Sequence, residues 1–132
     1  MMSDPSYAFS KKLDGVTVDA ALDRVAEALK ANGFGVLTKI DVKETLKKKI
    51  DVDFRPYVIL GACNPKLAHR ALQGESAIGL LLPCNVVVQE DEGGALVSFA
   101  DPKAMFELVP EAPIGEVAEE ARRLLHNAME QL

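Results

Sequence analysis

Two long stretches of the chain repeat apolar residues every three or four positions, and five shorter ones carry the alternation or the unbroken apolar run of a strand. Val18, Leu22, Val25 and Leu29 form the first helical stripe. Thr17 is placed to cap it, Val16 to staple against Ala21, and Asn32-Gly33 to end it in the left-handed region. The second stripe is Ile114, Val117, Ala121, Leu124, Ala128 and Leu132. Its acids Glu116, Glu119 and Glu120 precede Arg122, Arg123 and His126, the order that the helix dipole favours.

The strands are expected at Tyr7 to Lys12, Gly35 to Ile40, Tyr57 to Ala62, Val86 to Gln89 and Ala95 to Ala100. Tyr57 to Ala62 is apolar on both faces, as in an interior strand covered on both sides. Glu90 to Gly94 is a charged, glycine-ended loop, so the last two strands form a hairpin. Short helices fall between strands. Asp41 with Glu44 opens one whose stripe, Val42, Leu46 and Ile50, is expected to bury a narrow face and leave the lysines in water. Asn64-Pro65 opens another that ends at Gly74, since asparagine suits the cap and proline the first helical position. A helical turn or two follows Asp101-Pro102.

The order of elements predicts an α+β domain, β-α-β-β-β-β-α, with a twisted, mainly antiparallel sheet covered on one face by the two long helices. A chain of 132 residues suits one domain, and no repeat or linker divides it. Charge narrows the partners: the formal net charge is −5, a poor match to phosphate backbones. The basic block Lys47-Lys48-Lys49, beside Lys43, reads as a solvated helix face or, alternatively, a contact for an acidic partner. The longest apolar stretch, Ile78 to Val88, is broken by Pro83 and Asn85 and falls short of the roughly 20 residues that span a bilayer. No secretory pattern opens the sequence. A cytoplasmic protein that avoids nucleic acid and membrane is expected, and there a Cys63–Cys84 disulfide is disfavoured.

The chemistry that stands out is in those two cysteines, each followed by an asparagine at the edge of an apolar run. If the third and fourth strands are antiparallel neighbours, Cys63 and Cys84, 21 positions apart, meet at one rim with Asn64 and Asn85. Cys63 then precedes a helix whose dipole favours a thiolate, and Cys84 could resolve an oxidised partner or share a soft metal ion. The competing reading is packing: Cys63 as a staple against Ala68, Cys84 as a small buried hydrophobe, and Asn64 as a cap. His69 is expected to point away. Arg55, with Lys49, is a candidate anion contact; it could instead simply pair with Asp53 or a neighbouring acid. No phosphate-binding glycine motif, metal-protease pair, Cys-x-x-Cys or nucleophile elbow occurs, so no catalytic residue and no cofactor are assigned.

Through "VKETLKKKIDVDFRPYVILGACNP" and "GLLLPCNVVV" the sequence resembles the bacterial and archaeal family called domain of unknown function 302. The resemblance extends from about Tyr7 to the last helix. It implies a fold in the TATA-binding-protein-like class, without DNA binding, and it brings no catalytic residues. Three roles stay open: a small-molecule-binding or accessory domain, homodimeric through a sheet edge or helix face; a thiol protein handling sulfane sulfur, soft metal or oxidant; and a structural or partner-binding module.

Overall fold

The computed structural model describes residues 4–110 and 113–132. Five strands, β1 (Ala8–Asp14), β2 (Gly35–Asp41), β3 (Tyr57–Cys63), β4 (Cys84–Asp91) and β5 (Gly94–Ala100), form one sheet in the order β1-β5-β4-β3-β2, every neighbouring pair antiparallel. The helices are α1 (Val18–Ala31), α2 (Val42–Ile50), α3 (Pro65–Gly74), α4 (Pro102–Phe106) and α5 (Gly115–Glu130), with a 3-10 segment at Ser76–Leu81. The expected α+β class and the five-strand, two-long-helix order therefore hold.

Local sequence explains most boundaries. Thr17 Oγ1 accepts from Ala20 N–H at the start of α1, and Asp41 Oδ1 from Glu44 N–H at the start of α2. Asn64 and Asp101 cap α3 and α4 in the same way, each followed by proline at the first helical position. Gly33, at φ 82°, reverses the chain after α1 so that Phe34 returns to the core. Helix α5 starts without a side-chain cap at Ile114; packing holds it.

The sheet has two unlike faces. Val58, Leu60 and Ala62 of β3, Val86 and Val88 of β4, and Ala95, Val97 and Phe99 of β5 are buried beneath the helices. Ala21, Leu22, Val25 and Leu29 of α1 and Val117, Ala121, Leu125 and Ala128 of α5 complete one continuous core. The intervening residues, Tyr57, Ile59, Val87 and Leu96, are only half-buried, on the face opposite α1 and α5. The expectation that β3 is covered on both sides is thus corrected: its central position buries its edges, not its second face. The stripe of α5 is also turned slightly, since Leu125 and Met129 go inside while Leu124 is half-buried.

Helix α2 departs most from expectation. It lies beside β2 and β3, yet none of its residues is buried: Val42 and Leu46 are half-covered and Ile50 is 62% exposed. The helix begins directly where β2 ends, at the sheet's margin, so its stripe overhangs rather than meeting the core.

Candidate functional site

The site is built by the register of β3 against β4. Ala62 pairs with Cys84 and Gly61 with Asn85, so both strands extend to their cysteines rather than stopping before them. Gly61 makes this crossing possible, because a Cβ there would run into Thr38 Oγ1 and Pro83 Cγ. The chain reaches β4 from α3 through the 3-10 segment, which Glu75 Oε1 starts by accepting from Ala77 N–H. The expected meeting of the two cysteines therefore takes place at one end of the sheet.

Cys63 and Cys84 both line a cavity of about 20 Å³ between that end and helices α3, α4 and α5. Apart from Asn64, its other walls are apolar, among them Phe34, Leu67, Leu82, Phe106 and Val117. A space of that size holds one water-sized guest. The cysteines are free thiols, each partly buried. Burial raises the Cys63 thiol above its ordinary value; burial, reinforced by repulsion from Cys63, pushes Cys84 up to about 11. At neutral pH both are neutral SH groups.

The helix start beside Cys63 offers less than its position suggests. Pro65 has no N–H, Leu67 N–H donates to Asn64 Oδ1 at 3.2 Å, and Ala68 N–H donates to the Asn64 carbonyl at 2.9 Å. Asn64 is thus committed as a cap, and its amide packs over Gly33. Ala68 shares the cavity wall with Cys63, as the staple reading requires. His69 is exposed. Asn85 is one residue past Cys84, so strand alternation sends it to the uncovered face, where it is exposed. The expected quartet is therefore a pair of thiols with one capping asparagine; Asn85 belongs to the other side.

The candidate anion contact lies elsewhere. Arg55 stands at a cleft of about 940 Å³, open to solvent, between the β4–β5 hairpin, the β1–α1 turn and the start of α2. It does not pair with Asp53, which takes Lys47 instead at 3.3 Å. Arg55 Nε donates to Gln89 Oε1 at 3.0 Å, and the guanidinium lies 4.6 Å from the Phe54 ring centre. Lys43, not Lys49, is the lysine that lines this cleft, and Asp41, Glu90, Asp91 and Glu92 make its other walls acidic. Lys49 has no ion-pair partner among the described residues. His126, in the C-terminal half of α5, stacks on Phe9 with ring centres 3.9 Å apart and buries an Nε2 that has no hydrogen-bond partner among the described residues.

What the sequence missed was the cavity's outer wall. Asp101-Pro102 repeats the cap-and-proline signature of Asn64-Pro65 and marks α4, but nothing local says that Phe106 lines the same cavity as the cysteines.

No group of three or more His, Cys, Asp or Glu side chains able to hold a metal is present among the described residues, and no helix among them is long and apolar enough to cross a membrane. The fold and the site together define a small α+β domain with an open five-stranded antiparallel sheet, helices on one face and a thiol pair at the sheet's end. The chain belongs to the family described as domain of unknown function DUF302, which matches residues 9–132. A solved structure, the "uncharacterized conserved protein DUF302 from Bacillus stearothermophilus", is similar at 28% identity over 96% of this chain and 98% of that one, with a TM-score of 0.86. No curated protein matches the chain closely enough to count as a relative.

Proposed function

We propose that this chain is a small binding or accessory domain whose ligand site is the thiol cavity, and that the guest is a single soft atom, with monovalent copper as the best fit. The observation that carries the reading is that Cys63 and Cys84, distant in sequence, line one largely apolar space of about 20 Å³ and lie close enough for their thiols to repel. That volume is far below the 300 Å³ or more of an ordinary metabolite pocket. Paired thiolates select soft ions, and a bound cation deprotonates a thiol that burial otherwise keeps neutral. Binding would then release protons and strengthen with pH, by up to about tenfold per unit for each proton displaced.

The test is anaerobic titration of the reduced protein with Cu(I) against a chromophoric chelator. One equivalent is expected, with Cys63→Ser and Cys84→Ser each weakening it at least a hundredfold. Failure of the protein to compete for Cu(I), or retention of it by both variants, would reject the proposal.

A second reading, that the thiols only pack, draws support from the raised Cys84 thiol. It predicts that iodoacetamide labels neither cysteine at pH 7.5 until the protein is unfolded and that no Cu(I) is bound.

A further inference from the structure

We propose that the uncovered face of the sheet and helix α2 together form the interface of a two-fold symmetric homodimer, in which α2 of each copy lies across the sheet face of the other. The inference is independent of the thiol cavity.

Sequence and structure disagree at this face in a telling way. Strands β3 and β4 lack the apolar-polar alternation of a sheet with one wet side: Ile59 lies between Val58 and Leu60, and Val87 between Val86 and Val88. In the single chain those intervening residues are only half-buried. Register lines up Ile40, Ile59 and Val87 in a row across β2, β3 and β4, with Ile40 49% exposed. Among the described residues nine large hydrophobic residues are exposed, and five of them (Val36, Leu37, Ile40, Ile50 and Val52) fall within positions 36–52, that is β2, α2 and the connector after it. A partly exposed apolar helix stripe and a partly exposed sheet face, apolar across β2, β3 and β4, are complementary shapes on one chain. Isologous pairing satisfies both at once.

Charge selects a second copy over an unrelated partner. Helix α2 carries four lysines against one glutamate in a chain of net −5. The β4–β5 hairpin at the same end of the sheet carries Glu90, Asp91 and Glu92, of which Asp91 alone has an ion-pair partner, Lys12, among the described residues. Lys43 and Lys49 likewise have no such partner among the described residues. Two-fold symmetry sets each lysine helix beside the other copy's acidic hairpin. Size sets an upper bound: five strands of about seven residues present a face of roughly 570 Å² and a nine-residue helix roughly 130 Å², so full contact of both buries roughly 700 Å² per partner, just under the ~800 Å² of a standard stable interface.

The experiment is sedimentation of the full chain with matched variants. Wild type is expected at twice 14.3 kDa; a monomer at 100 µM would overturn the proposal. Val87→Lys is expected to weaken association by roughly thirtyfold or more with an unchanged circular dichroism spectrum, and Leu46→Glu on α2 serves the same purpose if the first variant unfolds. Two charge-reversed chains test the pairing itself. Lys43→Glu/Lys49→Glu and Glu90→Lys/Glu92→Lys should each be monomeric alone and form a heterodimer when mixed. A dimer that survives all four changes, or reversed chains that do not recover on mixing, would place the interface elsewhere and reject this one.

Discussion

The two faces of one sheet obey different rules. Along β4 the side chains of Val86 and Val88 are buried to 1% and 0% exposure, while Asn85, Val87 and Gln89, between and beside them, look out from the opposite face. Both sets sit on the same backbone with the same hydrogen-bonded neighbours. Their energetic weight differs because only one set is removed from water by α1 and α5. Composition alone does not separate them, since Val87 is as apolar as Val86. What separates them is which face the helices reach.

The sharpest break between the faces comes from truncation. Phe99→Ala, at 0% exposure under the helices, is expected to cost about 3–5 kcal/mol in urea unfolding. Val87→Ala on the other face should cost under about 1 kcal/mol at concentrations where the protein is monomeric. Equal losses would mean that the second face is as buried as the first.

Next comes the thiol end of the covered face. Below about pH 9 Cys84 is protonated whether the chain is folded or not, so it contributes no pH dependence there. Between pH 9 and about 11 the unfolded chain ionises while the folded chain keeps its proton, and stability falls with rising pH. The total is about 2–3 kcal/mol, and Cys84→Ala should lack this part of the alkaline decline. Identical profiles for the two proteins from pH 8.5 to 11 would show that Cys84 is not desolvated.

The smallest contrast is between the asparagines. Asn64→Ala removes the α3 cap and should lower stability by about 1 kcal/mol. Asn85→Ala, exposed and without a capping role, should change it by less than about 0.5 kcal/mol. Reversal of that order in thermal melts would mean that Asn85 holds the approach to β4.

Elements with a local cause were legible in the sequence. Thr17, Asp41 and Asn64 cap the helices they were expected to cap, and Asn32-Gly33 ends α1. The Glu90–Gly94 hairpin likewise follows from turn chemistry within a few residues. The meeting of Cys63 and Cys84 was legible once β3 and β4 were taken as antiparallel neighbours. The exposed α2 stripe, the partners of Arg55 and the stacking of His126 were not, because each depends on residues that are distant in the chain. Arg55 reaches Gln89, 34 positions on, and Phe9 reaches His126, near the opposite end of the chain.

By itself the sequence determined where each element starts, which periodicity it follows and that two thiols stand at element ends, since those depend on contacts within a turn or two of backbone. Only the tertiary structure decided which face of the sheet is covered, how small the space between the thiols is and that α2 overhangs the margin. Burial depends on what packs from far along the chain, and strand periodicity is the same whichever face the helices choose.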